Sequence, residues 1–418
     1  MDFELNATQQ RWVSIAQALA PAFRERARKY DESGEFPEEN FHDLRTCGIL
    51  KLGIPAEFGG AELGNCGPRL IQDLVIEKIS QGCSSTGWNL MIHWVNTQCL
   101  NNLGSEKLRR DVLSDIVERG VLIGSLGSEV NTQDARAGKN VPEQLKIDSA
   151  FRPVAGGFLA NGKKHFCTVA PAAEYLNLWV LAPGTSSNEE GLTLAIIPRD
   201  TPGIIFDRTG WDDCIGLRAT ASWSVTLKEV FVPWENVLGN PGDFVQKDPY
   251  TFDLGHIAHL LGTAQGIFDQ VVQTLREREY LMKDEVYVYW TTEMHGALQA
   301  ARASFWYTSW LWEKGRFDEC LLATYNCLHT ARQTALMIAD RAFDVCGSRA
   351  AFRFLPIERA ARDIRVASLH TRDTQLARLQ ARGILAGGKM FSKQKYGNKL
   401  AKPKTWSDLG IMREAALA

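Results

Sequence analysis

Four histidines, His93, His256, His259 and His370, are the side chains in this sequence best suited to proton chemistry. Imidazole is the side chain whose ordinary pKa, about 6.5, lets it exchange a proton near neutral pH. In a water-poor pocket it can donate that proton or steady a developing anion, and one well-aimed donor is worth about 3–4 kcal/mol to a transition state. The everyday alternative is a core residue, and His93 lies among Trp88, Ile92 and Trp94. His256-x-x-His259 has the look of a metal pair, with Asp253 and Asp269 as the nearest carboxylates. Dimetal bundles repeat Glu-x-x-His on facing helices, and that repeat is missing, so a helix-start or pocket-lining role is expected and no metal. Thr168 reads by default as a strand residue paired across a sheet, and Trp211 as packing at a Gly-Trp turn. Arg278, beside Arg276, Glu277 and Glu279, reads as part of a solvated helix face.

Composition narrows the classes. The chain has 418 residues, 45% hydrophobic, long enough for two or three packed domains. A net charge of −2 suggests neither a nucleic-acid partner nor an anionic membrane. There is no run of about 18 apolar residues, and Met1-Asp-Phe-Glu-Leu-Asn lacks the basic and apolar regions of a signal peptide. Nine scattered cysteines without a C-x-x-C pair fit reduced thiols. A cytoplasmic protein is expected. The glycines of Gly53 to Gly60 are not followed by the Lys-Ser/Thr of a phosphate cradle.

The elements that must position the candidates follow from periodicity. Asn6 to Lys29 places Trp12, Ile15, Ala16, Leu19 and Phe23 on one helical stripe. Pro37 can open a second helix that ends at Gly48, and a longer helical stretch is expected from Pro68 to Leu103. From Val121 the texture changes to short segments rich in strand formers and separated by turn residues, with Asn161-Gly162 as a hairpin signal. Helices return over Phe252–Lys283, Val286–Gly315, Phe317–Cys346 and Glu358–Ile384 and read as an antiparallel four-helix bundle. The expected fold class is α+β: an N-terminal helical domain (1–122), a middle β-barrel or sandwich (123–238), the bundle (239–386) and a C-terminal extension (387–418).

Ordered motifs give this plan a family. They run from Asp31-x-x-Gly34-x-Phe36-Pro37 through Ile54-Pro55-x-x-Phe58-Gly59-Gly60, Asn161-Gly162-Lys163-Lys164 and Gly216-Leu-Arg218-Ala-Thr220-Ala-Ser222 to Val232-Pro233-Trp-Glu235-Asn236. Val345-Cys-Gly347-Ser-Arg and Pro356-Ile-Glu-Arg359-Ala-Ala-Arg362-Asp363-Ile-Arg365 complete the set. Over residues 10–386 the chain resembles the acyl-CoA dehydrogenase superfamily. Counted back from Ala381-Arg382-Gly383-Ile384-Leu385, His370 falls where that family keeps its catalytic glutamate.

The resemblance is closer to the superfamily's two-component monooxygenases, of the p-hydroxyphenylacetate hydroxylase and dibenzothiophene monooxygenase kind. His165-Phe166-Cys167-Thr168 is similar to their flavin strand, with Val169 in place of a glycine, and Trp211-Asp-Asp also looks like theirs. By this resemblance His93 and His370 are catalytic, Thr168 bonds flavin N5, Ser128 lies near the pyrimidine edge, Phe166 and Trp211 wall the ring, and Ser222 lines the substrate side. Arg278 aligns with an arginine that meets the flavin diphosphate of a neighbouring subunit, but its Phe-Gly partners are replaced by Leu281-Met282, which leans towards FMN over FAD. Ser128-Glu129-Val130-Asn131-Thr132-Gln133-Asp134 lacks the proline and glycine of the dehydrogenases' acyl-CoA motif.

The resemblance therefore implies a homotetrameric oxygenase component that takes FMNH2, or FADH2, from an NAD(P)H-dependent flavin reductase. With O2 it would form a C4a-hydroperoxide and oxygenate a small, aromatic or heteroaromatic substrate. Two other readings stand beside it. One is an acyl-CoA dehydrogenase or oxidase with a relocated base, Glu358 or Glu293; the other is a non-catalytic scaffold.

Overall fold

A computed structural model describes residues 4–63, 69–129, 147–247, 252–370, 373–385, 387 and 404–411. The first helix, α1 (Ala7–Ser33), starts where Asn6 accepts from the Gln9 amide at 3.0 Å while the Gln9 side chain accepts from the Asn6 amide at 2.9 Å. These reciprocal bonds satisfy two otherwise orphaned donors. It runs past Lys29 because the stop signal is Gly34, in the left-handed region at φ 66°. Trp12, Ala16, Phe23 and Ala27 form its buried stripe. Helix α2 (Glu38–Thr46) follows, with Pro37 just outside it as the cap.

The stretch expected as one long helix is two. The first is α3 (Arg69–Gly82); Cys83, extended at φ −144° and ψ 109°, breaks the run before α4 (Ser84–Leu103). Helix α5 (Glu106–Arg119) closes the first domain.

Among the described residues, eight strands form two four-stranded sheets. They are β1 (Ile123–Leu126), β2 (Phe151–Val154), β3 (Gly157–Cys167), β4 (Tyr175–Leu181), β5 (Leu192–Pro198), β6 (Ile204–Asp207), β7 (Trp223–Pro233) and β8 (Val237–Leu238). One sheet has the order β1-β4-β5-β8 and the other β2-β3-β7-β6, with β1 parallel to β4 and the other pairs antiparallel. The hairpin expected at Asn161-Gly162 is not there: both residues lie inside β3, at a register shift against β7 between Ala160 and Gly162. The pair supplies a bulge instead of a turn. Asn161 accepts from the Glu229 amide at 2.8 Å, and a Cβ on Gly162 would come within 2.1 Å of Ser149 Oγ.

The C-terminal helices are α6 (Phe252–Glu277), α7 (Glu285–Glu313), α8 (Phe317–Cys346), α9 (Ile357–Ala367) and α10 (Asp373–Leu385). Helix α6 approaches α3 so closely that a Cβ on Gly262 would meet the Glu77 carbonyl at 2.1 Å. The last of the four helices expected here is broken, and His370 sits in the break. The Ser368 hydroxyl donates to the Arg365 carbonyl at 2.7 Å, and the amides of Leu369 and His370 bond back three residues, to Val366 and Ala367. Side-chain competition and tightened i→i−3 bonds end α9 there. From the extension, Trp406 inserts against Phe158 and Trp234 and donates to the Gly239 carbonyl at 3.0 Å. Among the described residues no helix is long and apolar enough to cross a membrane. The architecture is acyl-CoA dehydrogenase-like: helical domain, β domain, helical bundle.

Candidate active site

Thr168, Ser222 and Thr220 make a buried chain of hydroxyls at the edge of the β domain where β3 ends and β7 begins. Thr168 Oγ1 lies 2.8 Å from Ser222 Oγ, which lies 2.7 Å from Thr220 Oγ1, and Thr220 donates on to the Leu217 carbonyl at 2.8 Å. The Thr168 carbonyl accepts from the Ser125 amide on β1 at 3.1 Å. Leu217 in turn donates its amide to Asp363 on α9 at 2.6 Å, which ties this edge to the helix that carries the His370 turn. Asp363 is fully enclosed, and burial pushes its carboxyl up to about 7.

Around these hydroxyls the backbone is strained. Of six non-glycine residues at positive φ among the described ones, four are here: Phe166 (53°), Val169 (65°), Leu217 (52°) and Ala221 (47°). Each costs about 1–3 kcal/mol and persists only where its surroundings over-determine it. At Val169, where the resemblance expects a glycine, φ lies in the left-handed region that favours glycine. Phe166 is 63% exposed and meets Trp211 edge-on at 6.3 Å; Trp211 is buried and donates its indole N–H to the Arg218 carbonyl at 2.8 Å. Ser128 is half-buried, and its carbonyl accepts from the His165 amide at 2.9 Å. The rest of its motif, Val130 to Asp134, lies outside the described residues.

Helix α4 supplies the second wall. Asn89 donates to the Ala219 carbonyl at 3.1 Å, and one turn later His93 Nδ1 accepts from the Ile123 amide at 3.2 Å. A neutral ring that accepts at Nδ1 carries its proton on Nε2. Nε2 of His93 and Oδ1 of Asn89 are buried with no partner among the described residues. His93 is fully enclosed, and burial, helped by Arg45, lowers its pKa to about 3. At pH 7 His93 is therefore a neutral ring with its proton on Nε2.

The third wall is aromatic. The His370 ring stacks on Phe252 at 4.4 Å and lies 5.9 Å from Trp88 and 5.7 Å from His256. One side of the residue is open to solvent, yet the protein mass around it lowers its pKa to about 4; water on the open side weakens that push, and the ring is neutral at pH 7 either way. Trp88 also meets His256 at 5.3 Å and His259 at 5.0 Å, edge-on. His259 Nε2 lies 2.9 Å from Ser84 Oγ. Both histidines are buried behind Trp88.

The candidates fall into two clusters on a common spine. Thr168, Ser222, Ser128, Phe166 and Trp211 share the β edge, with His93 joined to it through β1; His370 belongs to the aromatic wall. Trp88 and His93, five positions apart on α4, serve different walls. Arg278 is not part of this assembly: it follows the far end of α6, 26 residues or about 39 Å from Phe252. Of the proposed relocated bases, Glu358 is held by Arg362 at 2.8 Å and Glu293 lies 3.6 Å from Arg341.

Sequence reasoning passed over Asp253 as anything but a metal neighbour. It is a buried carboxyl at the start of α6, next to the Phe252 that carries His370, and burial pushes it up to about 7. In the sequence Asp363 stands out only as part of the Pro356–Arg365 motif, and no local signal marks it as a buried acceptor.

These walls fit a planar ring with a polar edge. The standing Phe166 ring, the Thr168–Ser222 hydroxyls and the unpaired His93 Nε2 and Asn89 Oδ1 supply an apolar face and hydrogen-bonding groups of both kinds, as an isoalloxazine needs.

Comparison with known proteins agrees. Residues 7–119 match the acyl-CoA dehydrogenase N-terminal domain and residues 254–373 the acyl-CoA dehydrogenase C-terminal domain. The chain is 28% identical to cyclohexane-1-carbonyl-CoA dehydrogenase of Geobacter metallireducens, over 89% of this chain and 96% of that protein. It is 27% identical to dibenzothiophene monooxygenase of Rhodococcus erythropolis, over 86% and 89%. Among solved structures, TdsC from Paenibacillus sp. A11-2 with FMN and indole superposes with a TM-score of 0.79 at 22% identity, covering 91% of this chain and 99% of that one. A glutaryl-coenzyme A dehydrogenase complex reaches 0.83 at 21%, covering 96% and 99%. By its motifs, its three-part fold and these matches, the chain belongs to the acyl-CoA dehydrogenase family of flavin-dependent oxidoreductases.

Proposed function

We propose that the protein is the oxygenase component of a two-component monooxygenase, binding reduced FMN, or reduced FAD, supplied by a separate NAD(P)H-dependent reductase. Its substrate is a small aromatic or heteroaromatic compound. The observation that carries this reading is His370: an imidazole on the aromatic wall, where the related dehydrogenases keep a carboxylate. Bound reduced flavin would supply the two electrons with which O2 gives one oxygen to the substrate and one to water.

The chain's own residues have distinct parts in this. Phe166 and Trp211 flank the ring; Thr168, held by Ser222, presents a hydroxyl to its N5 edge, and Ser128 stands at the pyrimidine side. His93 offers a neutral Nε2–H from a water-free seam, and His370 moves a proton at the reacting oxygen. Trp88 and Phe252 exclude water. A homotetramer would bring Arg278 of one copy towards the site of another.

The test mixes protein, FMNH2, O2 and candidate aromatic substrates and measures product against free peroxide. His370→Ala should keep the fold by circular dichroism and lose roughly 10²-fold in oxygenated product, with peroxide rising in its place. Full coupling in that variant would sink the assignment.

Asp253 favours a second reading. A buried carboxyl near pKa 7 is what a base acting alpha to a thioester requires, and it could serve an acyl-CoA dehydrogenase. Anaerobic bleaching of bound flavin by an acyl-CoA, abolished in Asp253→Asn, would establish that reading over the first.

A further inference from the structure

His256 has no role in the site described so far, yet its position is unusual. Its ring is 1% exposed, and neither Nδ1 nor Nε2 has a hydrogen-bond partner among the described residues. A buried polar group left unpaired costs about 1–3 kcal/mol, so a retained one calls for an explanation. The Ala367 carbonyl, which accepts from the His370 amide at 3.1 Å, is also close enough to favour a proton on one His256 nitrogen; a carbonyl takes two such bonds, so the other nitrogen of His256 is the one left as an acceptor. The closest imidazole is that of His370, edge-on, with centroids 5.7 Å apart and planes at 79°. One imidazole nitrogen donating to another needs centroids roughly 5 Å apart, two ring radii added to a hydrogen bond of about 2.9 Å. The pair is therefore a small rotation short of bonding, and the open side of His370 leaves room for that rotation.

The surroundings choose which ring moves. His256 is wedged edge-on against Trp88 at 5.3 Å and lies 5.8 Å from Phe252, one turn back on its own helix. His370 hangs on a turn held by two i→i−3 bonds. We propose that His256 is a positioning residue for His370, accepting a hydrogen bond from its ring so that the two imidazoles hold one proton between them and never two.

Electrostatics agrees with the geometry. The charged groups facing His256 are His370 from the turn after α9, Arg332 from α8 and His259 on α6 itself; α4 presents only Trp88. All three oppose a positive charge on His256, and burial opposes it most, holding its pKa well below the ordinary value. A neutral His256 is thus always available as an acceptor when His370 takes up a proton. The bond fixes which His370 nitrogen carries the proton and which points into the cleft. No electrons move; the proton given up by His370 to a reacting oxygen is regained from solvent at its open side. This role rests on the proposed function only for the use of that proton, not for the pairing.

The experiment reads the pairing in flavin-free protein, by nuclear magnetic resonance titration of the histidine rings assigned with single variants. His256→Phe keeps volume and the contact with Trp88 but removes the acceptor, and it should weaken proton binding by His370 at least threefold. His256→Gln, which can still accept, should restore it. His370→Gln should let His256 bind a proton more readily, because the neighbouring charge is gone. Unchanged His370 titration in folded His256→Phe overturns the proposal. If that variant does not fold, an unmoved His256 in His370→Gln overturns it equally. Because no flavin, O2 or substrate is present, failure here is separable from failure of the monooxygenase reading, which product and peroxide measurements decide. In the flavin-loaded enzyme, His256→Phe should shift the pH profile of coupling without changing the KM for flavin.

Discussion

The two sides of the cleft are built on opposite principles. On the β edge every hydroxyl is already bonded: Thr168 to Ser222, Ser222 to Thr220, Thr220 to the backbone. The cost there lies in the chain itself, in four side-chain-bearing residues at positive φ. On the helical side no side-chain-bearing residue of α4, α6 or α9 takes positive φ, and the cost lies in side chains. The rings of His93 and His256 are buried, and His93 Nε2 has no partner among the described residues. In the proposed reading the bonded, strained edge would position the flavin, while the imidazoles against Trp88 and Phe252 would serve the chemistry.

Acid titration should separate the two sides most widely. The folded pKa of His93 is lowered to about 3 from an unfolded value near 6.5. Its contribution to stability is therefore complete above pH 6.5 and is lost as pH falls through the interval towards 3, where the unfolded chain binds a proton that the folded chain refuses. The slope is about 1.4 kcal/mol per pH unit. Denaturation midpoints of His93→Gln between pH 6.5 and 4 should lack this share of the decline; an identical slope in both proteins would mean that His93 is not neutral when folded. Thr168→Val should leave the slope untouched.

The β edge answers to backbone changes instead. At Ala221 a β-branched residue is incompatible with φ 47°, so Ala221→Val should destabilise by about 1–3 kcal/mol, while Ala221→Gly should be near neutral. Chemical denaturation of both variants checks this, and equal effects would show that the strain is not there.

The smallest effect is expected from Thr168→Val. Removing one hydroxyl from a chain whose other members keep partners should cost about 1 kcal/mol of stability. Its larger consequence should be weaker retention of FMN in equilibrium dialysis, and unchanged retention would remove Thr168 from the ring's edge.

Much of this architecture was legible from spacing. The stripe Trp12, Ala16, Phe23 is a 3.6-residue pattern, and α1 formed on it; the strand-rich block between two helical ones gave the three-part order. What failed was local. Asn161-Gly162 carries a turn signature, but the pairing of β3 with β7 continues past it on both sides and converts it to a bulge. The helix expected through residue 384 was interrupted because Ser368 satisfies a carbonyl of its own helix. The protonation of the histidines was not legible at all, since it depends on what surrounds them.

By itself the sequence determined the residue types on offer, the imidazoles of His93, His256 and His370 and a threonine after a strand, because identity and order along the chain are local properties. Only the tertiary structure decided that Asp363 joins the β edge to α9, that His93 and His370 serve different walls, and that the rings of His256 and His370 meet edge-on. Contacts between residues more than a hundred positions apart arise from packing, and packing also sets the dielectric surroundings that fix which of these groups carries a proton.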